Sequence, residues 1–121
     1  MSKSILKDKS YEFAIRIVEL NRFLCKERKE YVLSKQLLRS GTAVGALIRE
    51  AEFGQSRADF RSKMTIALKE ANETQYWLSL LKDTNYVDIK DYEDASGDCL
   101  ELIRMLVATV KTTGLPEKTL S

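Results

Sequence analysis

Three glutamates, Glu50, Glu70 and Glu73, are the carboxylates with the spacing to converge inside a helical protein. Inward glutamates are the raw material of a di-metal centre, but such centres are completed by Glu-x-x-His pairs, and this chain contains no histidine. The same absence removes the usual base for activating a serine or cysteine nucleophile. Gly41-x-x-x-Gly45 falls inside a helical pattern, not between a strand and a helix, so it is not a phosphate-binding loop. Cys25 and Cys99 form no C-x-x-C pair, which leaves zinc without its usual ligand sets. The residues therefore point away from an enzyme and imply neither metal nor cofactor. The two cysteines, on apolar helical faces, read as small buried hydrophobes in a reducing cytoplasm, with a disulfide between the first and fourth helices as the alternative.

The remaining chemistry is electrostatic. Ile66, Glu70, Glu73 and Trp77 form a stripe beside an apolar one. Two carboxylates three residues apart repel unless a cation answers them, and beside Ile66 and Trp77 their partial burial would make pairing nearly obligatory. Arg39 and Arg49 are the expected partners, in a network holding helices or subunits in register. An anion- or metal-binding role is the alternative. For nucleic acid, the candidate cations are Arg22, Lys26 and Lys29 on one side of the first helix, with Arg57 and Arg61 one turn apart on the third. An anionic partner would relieve the repulsion between the last two, although charge runs are commonly no more than solvated faces. Residues 1–65 hold 14 Lys/Arg against 8 Asp/Glu, while 66–121 hold 6 against 10, so a net charge of +2 hides a basic first half and an acidic second half. Such polarity suits association between copies or presentation of a basic surface to a polyanion.

These side chains must be positioned by helices. One proline, Pro116, and five glycines in 121 residues are too few turn formers for a β protein. The spacing of Phe13, Ile17, Leu20 and Leu24 predicts a first helix over about 10–28, with Ser4 as an earlier possible start. A second, over 34–53, has Ser34 as its expected N-cap, a Leu33–Leu38 hydrophobic staple, a core stripe of Leu37, Gly41, Val44, Ile48 and Ala51, and Gly54 as C-cap. Gly41 and Gly45, one turn apart, suggest close approach by a neighbouring backbone. Phe60, Met64, Ala67, Ala71, Thr74, Leu78 and Leu81 predict a third helix over 57–82, capped by Ser56, with Asp59 completing a capping box. A fourth, over 89–111, follows Asp88 with Asp91 in its first turn. Its stripe is Tyr92, Ala95, Cys99, Leu102, Leu106 and Thr109 or Val110, with Gly114 and Pro116 as stops and 112–121 as a loose tail. Short links favour an all-α, antiparallel up-down-up-down four-helix bundle, one domain over 1–121.

Met1 to Lys9 shows no signal-peptide pattern and no apolar run approaches a membrane span, so a cytoplasmic location is expected. Ile15, Leu47, Ile66, Tyr76 and Trp77 fall off the core stripes. A monomer would expose some of them, which favours a homo-oligomer, unless a broad core absorbs them.

The stretch Leu33-Ser34-Lys35-Gln36-Leu37-Leu38-Arg39-Ser40-Gly41-Thr42-Ala43-Val44-Gly45-Ala46-Leu47-Ile48-Arg49-Glu50-Ala51 resembles the second helix of the bacterial four helix bundle protein family. Asp59-Phe60 leading into Ile66-Ala67-Leu68-Lys69-Glu70-Ala71-Asn72-Glu73-Thr74-Gln75-Tyr76-Trp77-Leu78 is similar to its third. The family includes proteins encoded in intervening sequences of 23S ribosomal RNA genes and looks related to the accessory variability protein of diversity-generating retroelements. The resemblance covers about Lys9 to Asp83. It implies a ring-shaped homopentamer and, for the retroelement branch, binding of RNA or DNA and of a reverse transcriptase through a basic surface. For most members it implies no established activity. Leu47 stands where the family often has asparagine, which implies the loss of a polar contact there. The near-neutral net charge departs from the strongly basic retroelement proteins and favours the intervening-sequence or orphan branch.

Overall fold

The computed structural model of the protein describes residues 2–114. Four helices follow in order: α1 (Ser2–Glu27), α2 (Leu33–Glu52), α3 (Arg57–Asp83) and α4 (Ile89–Thr113). Each packs against its chain neighbours, and α1 closes on α4. Cross-helix pairs give the direction: Ile17 meets Gly41, Ser10 meets Gly45, Ser40 bonds Thr74 and Gln75 bonds Ser96. As residue numbers rise on one helix they fall on the next, which is the antiparallel up-down-up-down bundle.

One core runs through all four helices. Phe13, Ile17 and Leu24 meet Leu37, Val44 and Ile48 from α2, Met64, Ala67, Leu78 and Leu81 from α3, and Cys99, Leu102 and Leu106 from α4. The glycines on α2 admit α1 closely. A Cβ at Gly41 would lie 2.9 Å from two carbons of Ile17, and one at Gly45 would lie 3.3 Å from the Ser10 carbonyl oxygen. The α1–α4 seam is the sparsest, and ion pairs span it: Lys9 to Glu101 at 3.2 Å and Arg16 to Asp98 at 2.9 Å.

The boundaries differ from expectation at several places. Helix α1 begins at Ser2, because Leu6 and Ser10 continue its buried face. Leu6 borders, with Phe60, Met64 and Met105, an apolar cleft at the end of the bundle. Helix α2 begins at Leu33, and Ser34 is not its N-cap. The carboxylate of Glu30 takes that role, accepting from the backbone N–H of Val32 (3.1 Å), Leu33 (2.9 Å) and Ser34 (2.7 Å). The Ser34 hydroxyl instead donates back to the Glu30 carbonyl at 2.7 Å. The staple register expected for Leu33 and Leu38 is lost with that cap, although both still pack against the core. Phe53, with Gly54 behind it, ends α2 without a left-handed glycine.

One cap is as expected, and a second forms at the residue before α4. Ser56 accepts from Asp59 N–H at 3.0 Å, and Asp88 accepts from Asp91 N–H at 2.8 Å. The Asp59 carboxylate reaches Lys63 one turn on, at 3.5 Å. Helix α4 extends two residues beyond expectation and ends at Gly114; Pro116 and the expected tail from 115 onward lie outside the described residues. Both cysteines are free thiols, with Cys99 in the core and Cys25 beside Ser34, so no disulfide links α1 to α4. No described helix is long and apolar enough to cross a membrane.

Candidate functional site

The carboxylates of α3 meet Arg39. Its guanidinium donates to Glu70 at 3.1 Å and to Glu73, and the Trp77 indole N–H donates to Glu73 at 3.0 Å. The Trp77 indole and Arg39 together hold the Glu73 carboxyl below its ordinary range. Glu73, with Glu70, in turn raises the Arg39 guanidinium pKa. Tyr76 stands edge-on to Trp77, with ring centroids 5.0 Å apart.

Arg49 does not join this network. Ten residues beyond Arg39, it lies roughly 15 Å further along α2, and antiparallel packing carries it away from Glu70. It borders instead a groove of about 550 Å³ between α1 and α2, lined also by Lys7, Tyr11, Ala14, Gly45 and Ala46. The groove exists because small residues occupy the facing positions. Among the described residues, no cluster of three carboxylates or cysteines is placed to hold a metal ion.

The five candidate cations separate into two groups at opposite ends of the bundle. Arg57 donates to the Thr113 and Thr112 carbonyls, at 3.1 and 3.3 Å, and Arg61 donates to the Val110 carbonyl at 3.4 Å. These are terminal carbonyls of α4, the partially negative end of a helix. Arg57 and Arg61 thus have acceptors within the chain, at the end of α4.

Arg22, Lys26 and Lys29 lie toward the other end. All three are exposed, and none forms an ion pair among the described residues. Lys29 falls just past α1 and adopts φ 56°, so it belongs to the turn and not to the helical face. Sequence reading missed two neighbours. Lys35, in the first turn of α2, is exposed at the same end. Arg28 donates to the carbonyls of Tyr86 (2.9 Å) and Asn85 (3.0 Å) and lies over the Tyr86 ring, bracing the α1–α2 turn against the α3–α4 turn. Neither role has a helical-periodicity signal, because both depend on which turns share an end.

Of the off-stripe apolar residues, Leu47 and Trp77 pack partly against the core, so the Leu47 position is filled by apolar contact. Ile15, Ile66 and Tyr76 remain exposed, as does Tyr11 at the rim of the α1–α2 groove.

The fold has a solved counterpart. A crystal structure of a protein of unknown function from the S23 ribosomal protein family of Bacteroides thetaiotaomicron matches with a TM-score of 0.90 and 56% sequence identity, covering 92% of this chain and 99% of that one. None of the curated proteins matches. The family model for 23S rRNA-intervening sequence proteins spans residues 2–108, almost the whole bundle. With that span matched, and with the helices and glycine approaches in place, the chain belongs to the 23S rRNA-intervening sequence protein family.

Proposed function

We propose that this protein is a non-enzymatic, cytoplasmic, homopentameric bundle that binds RNA or DNA through the C-terminal half of α1. The observation that carries the reading is the set Arg22, Lys26 and Lys29, exposed cations without carboxylate partners among the described residues. A ring of copies repeats that set around an axis and raises avidity for a phosphate backbone. The exposed apolar residues Tyr11, Ile15, Ile66 and Tyr76 supply surface for contact between copies; the number five rests on the family resemblance.

Light scattering should give five times the 13.8 kDa chain mass. RNA uptake should fall steeply with salt. The Arg22→Ala, Lys26→Ala, Lys29→Ala triple variant should flatten that dependence by up to about two units of log–log slope, the contribution of three phosphate contacts on a single strand. An unchanged slope would remove this face from the proposal. A reverse transcriptase is the protein partner to test by co-purification.

A second reading, a structural scaffold with no nucleic-acid affinity, is favoured by Arg57 and Arg61 being engaged on α4. In either reading the Arg39 network borders exposed Ile66 and Tyr76 and contributes to contact between copies. The Glu70→Gln, Glu73→Gln double variant should therefore dissociate on dilution well before wild type in analytical ultracentrifugation. Its fold stability should change by less than about 1 kcal/mol, since half-exposed ion pairs contribute little. Unaltered assembly would count against that role.

A further inference from the structure

The turn between α1 and α2 carries more than cations. Tyr31 and Val32 are 57% and 72% exposed, and Tyr31 has no hydrogen-bond or ring partner among the described residues. Lys29 precedes them, Lys26 lies one turn back on α1, and Lys35 follows in the first turn of α2. Glu27 reduces this local charge but leaves it positive. The turn is held by its own bonds: Glu30 is buried, and its carboxylate grips the three successive N–H groups that follow Tyr31, those of Val32, Leu33 and Ser34. That grip also fills the N-terminal anion site of α2, so a phosphate approaching this end meets lysines, not backbone N–H groups. The acidic residues Asp83, Asp88 and Asp91 belong to the α3–α4 half of the same end, which directs a polyanion toward Tyr31.

We infer that the α1–α2 turn is a binding site for single-stranded nucleic acid, stacking one unpaired base on Tyr31 while Lys26, Lys29 and Lys35 hold the flanking phosphates. An exposed aromatic ring among cations, on a backbone turn held in place, is the combination that captures single strands, because every base has a face to stack. A duplex keeps its bases stacked on each other and would leave Tyr31 unused. The inference rests on the nucleic-acid reading above and narrows it to one strand state and one added residue.

The test is fluorescence anisotropy with a labelled oligouridine and a blunt RNA duplex of equal length, at low and moderate salt. Wild type should prefer the oligouridine. Tyr31→Ala should weaken oligouridine binding about tenfold with duplex binding and salt slope unchanged, and Tyr31→Phe should restore it. Because the side chain is exposed, both variants should melt with wild type. If Tyr31→Ala binds oligouridine as wild type does while the triple cation variant loses affinity, stacking is overturned and the nucleic-acid reading stands. Preference for the duplex overturns the single-strand assignment. Wild type that binds neither probe removes both readings.

Discussion

Glu30→Ala should lower the unfolding free energy by roughly 2–3 kcal/mol, the largest loss expected from any polar substitution in this chain. The carboxylate accepts from three consecutive backbone N–H groups at 2.7–3.1 Å, and Ser34, which supplies the shortest bond, is itself buried. Alanine would leave these donors without their partner, and at the buried Ser34 N–H water reaches poorly. In a domain of this size the loss corresponds to a fall in Tm of roughly 6–12 °C. Glu30→Gln keeps an acceptor but not the charge, and should lose about half as much.

The pH dependence follows from the same contacts. Burial by itself would raise the Glu30 pKa, but the bonds from Leu33, Ser34 and Val32 outweigh it and hold the group below its ordinary 4.5. A depressed carboxylate pKa contributes stability that is fully present above the unfolded value and is lost as pH falls through the folded one. The gap between wild type and Glu30→Gln in denaturant melts should therefore be constant above about pH 5 and narrow in acid. A gap that widens with acid would show that the carboxyl is bonded in its protonated form instead.

Gly41→Ala and Gly97→Ala, the same substitution in two helices, should have opposite signs. At Gly41 the new Cβ would lie 2.9 Å from both Cγ1 and Cγ2 of Ile17, which is fully buried. A β-branched side chain is stiff at χ1 and cannot swing aside, so the helices must part. Overpacking of this kind costs about 1–3 kcal/mol, against roughly 1 kcal/mol gained from helix propensity, so a net loss of up to about 2 kcal/mol is expected. At Gly97 a Cβ meets nothing within 4 Å, and only the propensity gain applies. Gly97→Ala should stabilise by about 0.5–1 kcal/mol. The double variant Gly41→Ala, Ile17→Ala should lose clearly less than the sum of its single variants, because Ile17→Ala opens the space that the new methyl needs. Additive losses would mean that the clash is not with Ile17.

Helix α3 shows what periodicity reveals. The steps from Phe60 to Leu81 predicted both its span and its buried face, and all but Phe60 of that stripe are buried. Glycine spacing on α2 likewise announced the close approach of α1, since a helix keeps Gly41 and Gly45 only where a neighbour requires the room. The charges were legible as residue types but not as pairs. Arg39 and Arg49 were equivalent candidates for Glu70 and Glu73, and only the antiparallel register, marked by the Ser40–Thr74 bond, separates them. Arg57 and Arg61 read as a free cationic pair because nothing in their own helix shows that α4 ends beside them.

By itself the sequence determined the number of helices, the face each one buries, the cap at Ser56, and the family. These follow from interactions within a few residues along the chain, where spacing is geometry. The tertiary structure decided the partners of Arg39, Arg57 and Arg61, the use of Glu30 in place of Ser34 to start α2, and the exposure of Tyr31 on the lysine-flanked turn. Those depend on the path of a turn and on how far one helix slides past another. Helical periodicity leaves that sliding undetermined, because shifting a helix along its neighbour by a whole turn preserves every buried stripe while changing every polar partner.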